Sequence, residues 1–220
     1  MSRIKDREIA LKLRKEGKSY SQIKAALGVP KSTLSGWLNH LPLTKRQIHL
    51  IRDINSKRIE KFRATMRRKR DDHVKVIFEK QKNKMLPLTQ RELFLCGLFL
   101  YLGEGTKVER SKLSITNSDP DIIKFTLYWF TKILKIQRNK IRINLQLYHD
   151  MDIARELNFW KNHLNLDSEH FNKPYIKDSS KQRINHKGSF SHGTCAISFY
   201  SVNMKDEIIT SIGVILDKYK

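Results

Sequence analysis

Acidic residues are scarce in this chain: Asp+Glu 22 face Lys+Arg 44, for a formal net charge of +22. An excess of that size destabilises a compact fold by self-repulsion unless a polyanion shares it. Nucleic acid is the leading candidate, because each phosphate neutralised releases counterions; a membrane surface is the weaker rival. Cysteine is nearly absent. Cys96 and Cys195 both lie in apolar stretches, which excludes a disulfide framework and predicts two buried thiols in a reducing compartment. No apolar run reaches the about 20 residues of a bilayer span. No hydrophobic leader with a cleavage site opens the sequence, so the expectation is a cytoplasmic protein, nucleoid-associated if prokaryotic, with no membrane partner. Also missing are the Gly-x4-Gly-Lys-Ser/Thr phosphate loop, the Gly-x-Ser-x-Gly elbow and any Cys-x2-Cys pair.

What is present divides into stretches of different character. Residues 3–42 read as three short helices. Ile9, Ala10, Leu11 and Leu13 supply an apolar face that breaks at Gly17. Ser19-Tyr20-Ser21-Gln22 is a capping box opening a second helix with Ile23, Ala26 and Leu27. Gly28-Val29-Pro30 makes a sharp turn. A third helix starts at Lys31, with Leu34, Trp37 and Leu38 turned inward. Two helices joined by a glycine turn, the second basic and polar at its start, form a helix-turn-helix arrangement. The block Ser21 to Leu34 is similar to the helix-turn-helix of resolvases and many transcription regulators. That resemblance implies a recognition helix presenting Lys31, Ser32, Thr33 and Ser35 to the major groove, since its N-terminal residues meet the base edges. A plain three-helix bundle or a protein-docking module is the alternative.

Between residues 44 and 86 fifteen basic residues outnumber five acidic ones, and glycine and proline are absent. One or two long helices are expected here, about 60 Å if continuous at about 1.5 Å per residue. Ile48, Ile51, Ile54, Phe62 and Met66 form an intermittent apolar stripe. The run Arg67-Arg68-Lys69-Arg70 is either a solvated face or a grip on DNA phosphates.

Leu93 to Leu102 is almost unbroken apolar sequence and ends in Gly103-Glu104-Gly105-Thr106-Lys107. Thr89 and Glu92 supply a Thr-x-x-Glu capping box. A helix apolar on every side demands burial on every side. The segment from Gly97 to Gly105, followed by Thr116-Asn117-Ser118-Asp119-Pro120, resembles the LAGLIDADG motif of freestanding and intein-borne homing endonucleases, over roughly residues 88–217. The catalytic acid of that family, the small residue before it and the final glycine map onto Glu104, Gly103 and Gly105. Phe99 and Leu102 stand where the family has a small residue and a first acid.

Downstream, Lys112 to Thr116 alternates as a strand does. Asp119 caps a helix with Pro120 at its first turn, and Lys140 to Tyr148 is the clearest strand. A helix near 151–164 follows, then strands at Lys173–Lys177 and Cys195–Tyr200 and a final amphipathic helix. Asp178 to Gly193 reads as a long basic loop, mobile until nucleic acid arrives. With Ile141, Ile143, Leu145 and Leu147 facing a core, the opposite face carries Lys140, Arg142, Asn144 and Gln146. Lys112, Ser114, Thr116, Lys173, Tyr175 and Lys177 join them as candidate DNA contacts, side chains able to read base edges.

The expected fold class is α+β: a three-helix helix-turn-helix domain (1–42), a basic helical linker (43–87) and a LAGLIDADG-like mixed α/β domain (88–220) with a four-stranded saddle sheet. The resemblance implies a site-specific, metal-dependent endonuclease making double-strand breaks in double-stranded DNA. Mg²⁺ or Mn²⁺ would be held by Glu104 and the Gly103 carbonyl, with Lys107 and Gln146 positioning water. One motif copy gives one acid. Two chains packing this helix about a two-fold axis give the pair, with Gly97 and Gly103 allowing close approach, so a homodimer is expected. The alternative class is a non-catalytic regulator pairing a helix-turn-helix with a LAGLIDADG-like domain, toward which Phe99 and Leu102 lean. A third reading is an RNA-binding maturase.

Overall fold

The computed structural model describes residues 4–51, 54–149, 151–177 and 192–219. The loop expected over 178–193 therefore lies outside the described residues except for His192 and Gly193. The chain divides into two compact units, Met1–Leu86 and Pro87–Lys220. Among the described residues are nine α-helices and one four-stranded sheet, an α+β composition, and no helix is long and apolar enough to cross a membrane.

In the first unit, helices α1 (Ile4–Lys15), α2 (Tyr20–Leu27) and α3 (Lys31–Leu38) close on Ala10, Tyr20, Ile23, Val29, Leu34 and Leu38. The Ser19 hydroxyl accepts from the Gln22 N–H, while the Gln22 side chain accepts from the Ser19 N–H at 2.8 Å. Gly28 ends α2 with φ 65°, a left-handed conformation that glycine adopts without steric cost. Ile9, expected on the apolar face, is exposed. Helix α4 (Lys45–Leu50) buries Ile48 with Leu43 and Ile51.

Helix α5 (Ile54–Met85) is continuous, and near its start Ser56 and Glu60 are buried. Glu60, buried, receives Arg14 at 3.0 Å and Arg63 at 2.8 Å, and both guanidinium groups lie over the Tyr20 ring. The expected stripe is only half realised: Ile48 and Ile51 are buried, whereas Ile54, Phe62 and Met66 are exposed. The reason is that α5 turns a polar edge, Ser56 and Glu60, toward its neighbours.

In the second unit, α6 (Gln90–Glu104) begins at the Thr89–Glu92 capping box. It leads through β1 (Lys112–Asn117) to α7 (Pro120–Tyr128), which runs on into a π turn, Trp129–Ile133. Then follow β2 (Arg142–Tyr148), α8 (Ile153–Leu164), β3 (Tyr175–Lys177), β4 (Thr194–Tyr200) and α9 (Val202–Lys218). The sheet order is β1-β4-β2-β3, antiparallel except for the β2–β3 pair. Leu113, Ile115, Ile143, Leu145, Leu147 and Ile197 meet Tyr101, Trp129, Phe130, Trp160, Ile208 and Ile212 from the helices in one core.

Two strand expectations need correction. Arg138–Lys140 form a 3-10 turn and β2 starts at Arg142, so Lys140 is not on the sheet face. Lys173 lies ahead of β3, separated from it by Pro174, which has no N–H to give a ladder.

Candidate nucleic-acid interface

Strand alternation sorts the sheet residues between its faces. With the apolar set committed to the core, Lys112, Ser114 and Thr116 of β1 lie on the open face. Beside them are Thr194, Ala196, Ser198 and Tyr200 of β4, Arg142, Asn144 and Gln146 of β2, and Tyr175 and Lys177 of β3. None of the strand residues is Asp or Glu. Ser114 and Ser198 are buried at its floor, where the Ser198 hydroxyl donates to the Arg142 carbonyl at 3.2 Å. Asn172 donates to the Asn144 side chain at 2.8 Å. The β4 contribution was missed from sequence, although Thr194-x-Ala196-x-Ser198-x-Tyr200 carries the same alternation that betrayed β2.

The second feature is the end of α6. The Gly105 N–H bonds to the Tyr101 carbonyl, Lys107 Nζ reaches the Leu102 carbonyl at 2.6 Å, and Gly105 pairs with Ile115 at the sheet edge. Glu104 is exposed there, and its carboxylate has no hydrogen bond or ion pair to any described residue. Lys107 bonds the carbonyl two residues before it. Gln146 is remote: it lies three strand spacings and three residues away from the Gly105 bridge, about 17 Å by ladder geometry.

Beneath this turn sits a lysine that the sequence reading overlooked. Lys205 on α9 is 2% exposed and donates to the Tyr101 hydroxyl, the Thr106 carbonyl and, at 3.2 Å, the Lys112 carbonyl. The Tyr101 hydroxyl itself donates to the Thr106 carbonyl. Burial lowers the Lys205 pKa, the nearby Lys107 lowers it further and Glu109 opposes. Burial also pushes Tyr101 up to about 12. The cluster ties α6, β1 and α9 together one turn from Glu104. A signal existed: Lys205 falls on the i, i+3, i+7 stripe of Ile208 and Ile212, a charge at a core position.

Third is the outer face of α6. Gly97, Leu98 and Tyr101 are buried, but Cys96, Phe99 and Gly103 are exposed, Phe99 at 50%, with Leu95 and Leu102 half-buried beside them. Burial on every side is therefore not achieved within one chain, and Cys96 is exposed rather than buried. The core meets α6 through Phe94, Leu95, Leu98, Leu100, Tyr101 and Leu102 and leaves a strip through Cys96, Phe99 and Gly103 outside it. Gly97 is also unavailable for contact with a second helix. A Cβ there would lie 2.0 Å from Trp129 Cε2, whereas one on Gly103 meets nothing within 4 Å.

In the first unit, Lys31, Ser32 and Ser35 are exposed at the start of α3 and Thr33 is half-buried. Arg68, Lys69 and Arg70 are exposed, whereas Arg67 donates to the Asn39 carbonyl at 2.5 Å. Among the described residues no group of three or more His, Cys, Asp or Glu is placed to hold a metal. The Glu104 carboxylate and the Gly103 carbonyl are hard oxygen donors of the kind Mg²⁺ or Mn²⁺ prefers, but two donors fall short of the roughly six that such an ion takes. No protein-family model matches the chain, and no match is found among curated proteins or solved structures.

Proposed function

We propose that the protein is a site-specific DNA-binding protein of LAGLIDADG-like type that acts as a homodimer and cuts duplex DNA with a divalent metal. The observation that carries this reading is the outer face of α6: an exposed strip through Cys96, Phe99 and Gly103, edged by the half-buried Leu95 and Leu102, beside an exposed Glu104 whose carboxylate has no partner among the described residues. Two copies packed along that strip bury it and bring two carboxylates to one axis. Glu104 and the Gly103 carbonyl of each copy would then hold Mg²⁺ or Mn²⁺, whose chemistry is to activate water and stabilise the leaving oxygen. Lys107 stays beside the acid, and Lys205 and Tyr101 hold the turn that presents it.

DNA enters the reading through charge and placement. The helix-turn-helix interpretation of α2 and α3 is supported by the left-handed Gly28 turn and by the exposed Lys31, Ser32 and Ser35. Arg68, Lys69 and Arg70 add phosphate contacts, which position a protein without reading sequence.

The regulator reading is favoured by Phe99. A ring that size at a helix crossing keeps axes near the ordinary 8–10 Å, wider than small residues allow, and so holds the two acids apart. One experiment separates the readings. Supercoiled and linear DNA from the protein's own genomic neighbourhood is incubated with and without Mg²⁺, alongside a binding assay. Nicking that disappears in Glu104→Gln with affinity retained supports the nuclease; binding without any cleavage assigns the regulator. For the dimer, Gly103→Leu should sediment as a monomer. A wild type that is already monomeric while bound to DNA removes the shared-acid site.

A further inference from the structure

Tyr175 and Tyr200 stand on the open face of the sheet at 61% and 54% exposure. Tyr200 is opposite Lys112, whereas Tyr175 is opposite Gln146, which pairs in turn with Thr194. The two rings thus occupy diagonal corners, six residues along and two strands across. At about 3.3 Å per residue and about 4.8 Å per strand, they are roughly 22 Å apart. Between them the floor is built of small side chains: Ser198, Ala196, Thr194 and Asn144. Cations flank both ends, Lys112 and Arg142 near Tyr200 and Lys177 near Tyr175. Glu109 brings a carboxylate to one corner of the face, 3.6 Å from Lys112.

We infer that this face binds unpaired nucleotides, with one base stacked on Tyr175 and another on Tyr200 and the intervening strand lying over the small-residue floor. The inference rests on reading the face as a nucleic-acid surface, but it needs neither a metal nor a second copy. Duplex bases already stack on one another and offer no free ring face to a tyrosine. Splayed bases do, and stacking on an aromatic side chain is sequence-tolerant because every base has a π-face. Asn144, Gln146 and Arg142 lie where the edges of such bases would fall, and amide and guanidinium groups bond those edges. The Lys112 ammonium lies 5.8 Å from the Tyr200 ring centre, so a phosphate and a base can be met at one corner.

The test is fluorescence anisotropy on the full chain with labelled oligo(dT) and oligo(rU) of about 12 nucleotides, and a duplex of matching length. Wild type is compared with Tyr175→Ala, Tyr200→Ala, Tyr175→Phe and Tyr200→Phe, each checked for native circular dichroism. Each alanine variant should weaken single-strand binding roughly 5- to 150-fold, the equivalent of one lost base stack, and weaken duplex binding by a smaller factor. Each phenylalanine variant should bind as wild type does. A preference for oligo(rU) assigns RNA and a preference for oligo(dT) assigns DNA as the strand bound. Alanine variants that bind single strands normally, or that weaken duplex equally, overturn the stacking site, as do phenylalanine variants as weak as alanine. A wild type that binds no oligonucleotide at low salt instead removes the nucleic-acid reading of the face itself.

Discussion

The Cα of Gly97 lies against the indole of Trp129, so close that any Cβ would fall 2.0 Å from a ring carbon. The indole is fully buried and sits in the π turn that prolongs α7, so it has no room to retreat. Gly97→Ala should therefore destabilise the second unit by at least about 1–3 kcal/mol, the usual cost of overpacking. Gly103→Ala, with open space around it, should be neutral or gain up to about 1 kcal/mol from reduced backbone entropy in the unfolded chain. Urea unfolding followed by tryptophan fluorescence measures both, and equal effects at the two glycines would contradict this packing.

The buried Arg14–Glu60 pair makes a second, separable prediction in the first unit. Glu60→Ala leaves the Arg14 guanidinium 3% exposed without its carboxylate, a situation that costs about 3–5 kcal/mol. Replacing both by apolar residues, Arg14→Met with Glu60→Leu, should recover most of that loss. A double-mutant cycle on helix content against denaturant gives the coupling; additive losses would show that the pair is not coupled.

Stability should depend on pH in opposite senses through Lys205 and Tyr101. The Lys205 pKa is lowered from 10.5 by burial first and by Lys107 second. Between its folded pKa and 10.5 the unfolded chain therefore binds the extra proton, and stability rises with pH across that window. Tyr101 is pushed up to about 12 from 10.0, so above pH 10 the unfolded phenol ionises first and stability falls. Lys205→Met should flatten the rise and Tyr101→Phe the fall, read as midpoints of thermal unfolding across pH. A profile unchanged by both substitutions would show that neither group is perturbed.

The two thiols should differ sharply. Cys195 is buried and its pKa is raised by that burial, whereas Cys96 is exposed on α6. In native protein a thiol reagent should titrate one cysteine promptly and the other only after unfolding. If two copies pair along α6, the Cys96 rate should fall as protein concentration rises. A concentration-independent rate would place Cys96 outside any interface.

Local signals were the legible part of the sequence. The capping boxes at Ser19 and Thr89 set helix starts, and alternation along Arg142–Tyr148 set which side chains share a face, because both depend only on neighbours within a few residues. The composition also determined the net charge of +22, on which the polyanion reading rests. What only the tertiary structure decided was who meets whom: the β1-β4-β2-β3 order, the Trp129 ring over Gly97, the buried Lys205, and the distance between Gln146 and Glu104. It also decided that α6, apolar all round in sequence, leaves Cys96, Phe99 and Gly103 uncovered. Contacts between residues far apart in sequence arise from packing and strand pairing, and no local periodicity encodes their partners.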